Sequence, residues 1–236
     1  MSVYQGADLQ QIGRIDVGGT PHGLRSAADG SVIVIADPVK GTVELIDPGT
    51  DQVTGSIAVG SGPAQVAVSS DGRYAYTGTT EPPAVVKVDL TSRTVVGSVA
   101  VPTAPVQLYL TPDESTVISA DQGTREAAGH TVSLIDTTAM TLLRAVSTGA
   151  GPHGVVIDPT GTHAWVTNSY DDTVSVIDIP TQSVMATIPV GMGPNGISYS
   201  PRPPAPSGAA IALNIPALPA TSADDPQPPS NHHGHG

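Results

Sequence analysis

The chain has 236 residues, with nine Lys and Arg side chains against 21 Asp and Glu and a net charge of −12. Binding to a nucleic-acid backbone requires clustered basic side chains, and the sequence contains no such cluster, so nucleic acid is excluded as the expected partner. The lack of Cys excludes disulfides and thiolate metal ligands. No apolar run approaches the ~18 residues of a membrane-spanning helix, so no membrane insertion is expected.

The N-terminal segment, "MSVYQGADLQQIGR", is the first stretch in chain order. It lacks the charged region and the apolar region of a signal peptide, so the chain as written is expected to stay in the cytoplasm. Its runs "SVYQ" and "IGRIDVG" align with the second half of a unit that repeats through the rest of the chain. The chain is therefore expected to begin partway through that unit.

The repeated unit has a nearly constant length. Its copies open with Pro21, Pro63, Pro105, Pro152 and Pro194, at spacings of 42, 42, 47 and 42 residues. Each copy contains short apolar runs separated by polar turns, and the first turns read "AADG", "SSDG", "TPDE" and "DPTG". Such turns are typical of hairpins. The third copy is longer because it contains the insertion "GTREAAGH".

Four strands in a period of about 42 residues indicate a β-propeller blade. The predicted fold is therefore all-β, a propeller of four-stranded blades over residues 2–215. We expect the two N-terminal strands to pair with "GISYS" (196–200) and "AAIALNI" (209–215), which would complete a fifth, composite blade. A ring closed in this way has no open edge, and we expect it to be a monomer. The alternative is a truncated piece of a longer propeller.

Three features of the unit resemble a known family. They are the Pro-x-Gly start, the "SPDG"-like first turn and, in the fourth copy, "WVTN" followed by "DDTVSVID". Together they resemble the YVTN-type β-propeller repeat over residues 2 to 215. The resemblance implies the architecture and points to exported or cell-surface proteins. Some related propellers are lactonases, lyases or domains of redox enzymes, but no residues of this chain carry those activities over.

The loops that enter the innermost strands are candidates for a ligand site at the channel rim. In a five-bladed ring, His22, His153 and Asn195 would be neighbours, and Gln65 and Gln107 occupy the next position in the second and third copies. Two imidazoles and an amide are suited to a divalent transition metal or an anionic ligand. The alternative is that a rim histidine hydrogen-bonds a neighbouring carbonyl.

Small residues accompany these rim positions. Gly23, Gly154 and Gly196 follow three of the rim residues, and we expect them to permit close approach of the backbone near the axis.

A second ring of polar residues ends the second strands. Its members are Asp37, Thr79, Asp121, Asn168 and Asn214. Such oxygens suit a hard cation such as calcium, but capping of the hairpin turn is the favoured interpretation.

The insertion in the third copy places Arg125, Glu126 and His130 on one protruding loop. Departures from a repeat often map to binding loops, and a tolerated surface insertion is the favoured alternative.

The last part of the chain, residues 216–236, is rich in Pro, Ser and acidic residues and is expected to be disordered. It ends with His232, His233 and His235, which are suited to weak binding of Cu(II), Ni(II) or Zn(II).

The sequence contains no nucleophile elbow, "HExxH" helix or phosphate-binding glycine loop. We therefore expect a non-enzymatic binding or scaffold module that presents one face or the channel mouth to a protein or small ligand. The alternatives are a metal-dependent hydrolase or lyase that uses the rim histidines, and a metal-handling protein that uses the His-rich tail.

Overall fold

The computed structural model describes residues 1–202, and the strands in this range form four four-stranded antiparallel sheets and one two-stranded sheet. The two-stranded sheet pairs β1 (Ser2–Tyr4) with β2 (Gln11–Arg14). No helix occurs in residues 1–202, and so none there is long and apolar enough to cross a membrane.

Each four-stranded sheet is one complete copy of the repeat. Blade one contains β3 (Leu24–Ser26), β4 (Ile33–Asp37), β5 (Thr42–Asp47) and β6 (Gln52–Ala58). Blade two contains β7 (Val66–Val68), β8 (Tyr74–Thr80), β9 (Pro83–Asp89) and β10 (Thr94–Ala100). Blade three contains β11 (Gln107–Leu110), β12 (Thr116–Gly123), β13 (Ala128–Asp136) and β14 (Thr141–Ser147). Blade four contains β15 (Pro152–Ile157), β16 (His163–Asn168), β17 (Thr173–Asp178) and β18 (Ser183–Pro189). The fold is thus the predicted all-β propeller of four-stranded blades.

Backbone conformation repeats along with the strands. The turn between the third and fourth strand of each complete blade holds a residue with positive φ four positions after the closing aspartate: Asp51 (55°), Arg93 (59°), Met140 (50°) and Gln182 (54°). Leu9, between β1 and β2, has φ of 58° and lies four positions after Gln5. This match identifies β1 and β2 as the third and fourth strands of an incomplete blade, as the sequence predicted.

The core lies between neighbouring blades. Val34 and Leu45 of blade one pack with Val66 and Val88 of blade two, and equivalent clusters join blade two to blade three and blade three to blade four. Because both faces of the middle strands are buried, those strands read as nearly continuous apolar runs instead of alternating ones. The outermost strands are largely exposed.

The strand pair at the N-terminus packs against blade one. Ile15 and Val17 are buried with Ile35 and Ile46 of that blade, and the amino group of Met1 donates a hydrogen bond of 2.7 Å to the carbonyl oxygen of Ile15. The half-blade therefore occupies the place that a fifth blade would take beside blade one.

Residues 194–199 pack against the opposite end of the described ring, on blade four. The Thr167 hydroxyl donates to the carbonyl oxygen of Asn195 at 2.9 Å, and the Tyr199 ring lies 5.6 Å from the ring of Trp165. With the half-blade at the N-terminus, this placement fits a count of five blades.

The pairing of one predicted strand stays a prediction. Gly196 to Ser200, "GISYS", has no strand assignment. A strand requires a hydrogen-bonded partner, and its predicted partner, residues 209–215, lies outside the described residues. The tail at 216–236, with its three histidines, also lies outside them.

Candidate functional site

The innermost strands of the four complete blades lie side by side, since β3 contacts β7, β7 contacts β11 and β11 contacts β15. All four run in the same direction along the channel because each blade repeats the same path. Residues that precede these strands therefore lie at one end, here called the upper mouth, and residues that follow them lie at the other end, the lower mouth. The predicted rim residues belong to the upper mouth.

His22 of the upper mouth bonds to the backbone of the next blade. Its Nδ1 atom lies 2.9 Å from the carbonyl oxygen of Ala64, which also accepts the amide of Gly23 at 2.8 Å. The sequence analysis gave such a bond, from a rim histidine to a neighbouring carbonyl, as the alternative to a ligand site. It fixes the ring at the junction of blades one and two.

The other two members of the predicted cluster belong to blade four and to the segment that packs on it. His153 is partly buried at the start of β15, and the backbone of Asn195 is held by Thr167 of blade four. In residues 1–202 no three His, Asp or Glu side chains are placed to hold a metal ion. A metal bound by His22, His153 and Asn195 would need the amide as its third ligand, and this site stays a prediction.

The two predicted glutamines have structural contacts. An added Cβ at Gly23 would lie 2.0 Å from Oε1 of Gln65, so the Gln65 side chain fills the space beside the glycine. The backbone carbonyl of Gln65 accepts the Thr77 hydroxyl at 2.8 Å. Gln107 begins β11 and pairs with Ala120 of β12. Their role as ligand-binding residues stays a prediction.

Replacement of Gly154 by Ala is expected to destabilise the fold by about 1–3 kcal/mol, because overpacking displaces neighbouring atoms. The added Cβ would lie 2.3 Å from the backbone oxygen of Asn195, which cannot rotate away. Gly196→Ala is the matched control, since no atom of the described residues lies within 4 Å of its added Cβ. Urea unfolding of both variants measures the difference, and equal midpoints would contradict the close-approach interpretation.

Two of the residues that end the second strands cap turns as predicted. Oδ1 of Asp37 accepts the backbone amides of Val39 at 3.1 Å and Lys40 at 3.0 Å. The Thr79 hydroxyl donates to the carbonyl oxygen of Pro82 at 2.8 Å. Asn214 lies outside the described residues.

Asp121 does not cap its turn, so the capping prediction is wrong there. Its carboxyl is fully buried and accepts hydroxyl groups of Ser119 at 3.0 Å, Thr131 at 3.1 Å and Ser133 at 2.6 Å. The strand register, which pairs Asp121 with Thr131, places the carboxyl beside the hydroxyl groups of β13 and away from the turn. Burial raises the pKa of Asp121 to about 7, and the hydroxyl hydrogen bonds partly oppose this shift.

Asn168 occupies the same position in blade four and is also buried without capping its turn. Its Nδ2 donates to the hydroxyls of Thr173 and Ser175, both at 2.9 Å. Blades three and four thus share one arrangement, in which two hydroxyls of the third strand bind the end of the second strand.

The insertion in blade three packs on its neighbour. The guanidinium carbon of Arg125 lies 4.8 Å from the centre of the Tyr170 ring in blade four, a cation–π distance. Glu126 and His130 are exposed. The Arg125 contact favours the surface-insertion interpretation, with the loop tied to the next blade.

The lower mouth contains an open cleft of about 270 Å³ that the sequence did not predict. It is formed by the inner strands of blades one, two and three and by the turns that follow them. Its lining comprises Arg25, Ser26, Ala28, Ala67, Val68, Ser70, Leu108, Tyr109, Leu110, Thr111, Pro112 and Glu114. One sequence feature could have indicated this cleft. Arg25 is a charged residue at a repeat position that is Ala67 in copy two and Tyr109 in copy three.

Glu114 on this cleft has a left-handed backbone at a position that is glycine in the other complete blades. Its φ is 58°, whereas the equivalent residues of the other three complete blades are Gly30, Gly72 and Gly161, with φ of 74°, 67° and 72°. A side chain other than glycine is rare in this region. Oε1 of Glu114 accepts the backbone amide of Ser70 at 2.5 Å, so the side chain joins blades two and three at the cleft.

Comparisons with protein families and with curated proteins found no match. No family model matches the chain, and no curated protein matches it. The YVTN resemblance therefore stays a prediction.

Several solved structures are similar to the chain. Hydrazine synthase of Kuenenia stuttgartiensis is 27% identical over 73% of this chain and 51% of its own, with a TM-score of 0.66. A functionally unknown protein of Desulfotomaculum acetoxidans is 16% identical over 84% of this chain and 65% of its own, with a TM-score of 0.73. The Cps50 (Swd1) β-propeller domain of Myceliophteria thermophila is 16% identical over 75% of this chain and 57% of its own, with a TM-score of 0.63. The chain thus spans about half to two thirds of each matched chain.

Proposed function

We propose that this β-propeller is a non-enzymatic binding module that presents the lower mouth of its channel to a small ligand or to a short segment of a partner protein. The observation that carries this proposal is the open cleft of about 270 Å³ between three inner strands. Concave sites with an apolar lining and a few polar groups are the usual form of ligand sites. Ala67, Val68 and Leu110 supply the apolar part here, and Arg25 and Glu114 supply the charges.

The contacts of the upper mouth support this choice of end. His22 bonds to the Ala64 carbonyl and Gln65 fills the space beside Gly23. One ring nitrogen of His22 and the side chain of Gln65 are thus used at the junction of two blades, which leaves fewer groups there for a ligand. The matched solved structures do not favour one activity, because two of them are 16% identical and a likeness at that level concerns the fold.

A fragment library tested by saturation-transfer NMR examines the proposal. Ser26 is exposed and lines the cleft, so Ser26→Trp should fill the cleft without disturbing the core. We expect fragments that bind the native chain to lose their signal with this variant and to keep it with Ser183→Trp, a matched change on the exposed outer strand β18.

His22→Ala is the second comparison in this experiment, and fragment signals should survive it. Signals that are lost with His22→Ala but kept with Ser26→Trp would contradict the proposal and favour the upper mouth. A library that gives no signal with the native chain would contradict the binding role itself.

A further inference from the structure

We propose that the lower-mouth cleft recognises a zwitterionic ligand of about dipeptide size, with its carboxylate at Arg25 and its ammonium group at Glu114. This inference rests on the proposed binding function and names the chemistry of the ligand. It follows from two opposite charges that line one small cleft from different blades.

Arg25 supplies the positive charge from blade one. Its side chain is exposed on the innermost strand β3, and its guanidinium donates to the carbonyl oxygen of Leu24 at 3.2 Å. Among residues 1–202 it forms no ion pair, although the chain carries 21 acidic residues and only nine basic ones. Guanidinium groups bind carboxylates through paired hydrogen bonds, so a ligand carboxylate complements Arg25.

Glu114 supplies the negative charge from blade three. Its Oε1 atom is held by the backbone amide of Ser70 at 2.5 Å, which fixes the carboxylate at the wall of the cleft. Its other oxygen, Oε2, accepts no hydrogen bond within the described residues. Because this position is glycine in the other complete blades, blade three alone among them places a side chain there.

The two charges are kept apart. In residues 1–202 no contact of 4.0 Å or less joins the Arg25 guanidinium to the Glu114 carboxylate, and blade two separates their strands. Ala67 and Val68 of blade two and Leu110 of blade three lie along the same cleft. A ligand that matches this surface has two opposite charges with a short apolar body between them.

The volume of the cleft limits the size of this ligand. Pockets for drug-sized molecules span roughly 300–1,000 Å³, and this cleft of about 270 Å³ is slightly smaller. An uncharged ligand would cover both charges without pairing them, and a ligand with one charge would leave the other unpaired. Since unpaired polar groups are costly to bury, the cleft should discriminate against both.

Titration calorimetry of the full chain tests the inference with three forms of one dipeptide. The probes are alanyl-leucine, its N-acetyl form, which lacks the ammonium group, and its C-terminal amide, which lacks the carboxylate. We expect alanyl-leucine to bind at least about tenfold more tightly than either modified form, because each form loses one charge-assisted contact.

Two variants assign each charge to its residue. Arg25→Met should bind alanyl-leucine and its amide equally, and Glu114→Gln, which keeps an acceptor for the Ser70 amide, should bind alanyl-leucine and its N-acetyl form equally. Arg144→Met on the exposed outer strand β14 and Glu81→Gln at an exposed turn are matched controls and should keep the native preferences. Circular dichroism should show that all four variants are folded.

Equal affinities of the three dipeptide forms for the native chain would overturn the inference. So would a native preference that both cleft variants retain. If no dipeptide form binds while library fragments bind the cleft, the zwitterion is wrong and the binding module stands. If the fragments also fail to bind, both proposals fall.

Discussion

The native chain is expected to lose about 2–3 kcal/mol of its free energy of unfolding between pH 5 and pH 8, and replacement of Asp121 by Asn should remove this pH dependence. The carboxyl of Asp121 is fully buried, and among residues 1–202 its hydrogen-bond donors are all hydroxyl groups. Burial raises its pKa from the ordinary 3.8 to about 7, against the hydroxyl hydrogen bonds. Ionisation of a buried carboxyl without a cation is costly.

The direction of this pH dependence follows from the two pKa values. Between about pH 4 and pH 7 the folded chain keeps a proton on Asp121 that the unfolded chain releases. Stability from this group is therefore complete below pH 3.8 and is lost as the pH rises to about 7. Urea unfolding at pH 5, 6, 7 and 8 measures the slope, and parallel profiles for the native chain and Asp121→Asn would contradict the prediction.

Blade four supplies the reciprocal variant. Asn168 is an amide in the same arrangement, with Thr173 and Ser175 accepting its Nδ2, so an amide should fit at Asp121. Asn168→Asp should create a new loss of stability above pH 5. Within the described residues Oδ1 of Asn168 has no hydrogen-bond partner, because Val166 stands where blade three has Ser119. The loss should therefore be larger than the one caused by Asp121.

Replacement of Ile15 by Ala should cost about 2–5 kcal/mol, the range for truncation of a large buried side chain. Ile15 is 3% exposed and packs with Ile35 and Ile46 of blade one. The change leaves a cavity between the N-terminal half-blade and blade one. It therefore measures how firmly the half-blade belongs to the ring.

Ile12→Ala is the matched control for this prediction, because the two residues are three positions apart and Ile12 is 62% exposed. We expect it to change stability by less than about 0.5 kcal/mol. Urea unfolding of both variants provides the comparison. Equal costs would contradict the packing of the half-blade on blade one.

Most of the fold could be predicted because each blade repeats the same order of short strands and turns. The spacing of the prolines placed all 16 strands of the complete blades, and the count back to Gln5 placed β1 and β2. The strand at 196–200 stays a prediction, because a strand depends on a partner and its predicted partner, residues 209–215, lies outside the described residues. Sequence patterns describe local preference better than pairing between separated segments.

The candidate site was harder to predict because a ligand site depends on which side chains from different blades lie next to one another in the folded chain. The sequence motif pointed to the upper-mouth histidines, and of these His22 bonds to a backbone carbonyl through Nδ1, while the ligand site predicted there stays a prediction. The cleft is built from Arg25, Ala67 and Tyr109, which share a repeat position but no chemistry. The prediction that Asp121 caps its turn was wrong for a similar reason. Its hydroxyl partners on β12 and β13 are brought beside it by strand register, which the sequence pattern does not show.

Crystallographic fragment screening of the full-length chain would show directly which end of the channel binds ligands. We predict that bound fragments occupy the lower-mouth cleft, with polar groups near Arg25 or Glu114 and apolar groups against Val68 and Leu110. Fragments that gather instead around His22 and His153, or that leave the cleft empty throughout, would contradict the assignment of the lower mouth as the binding site.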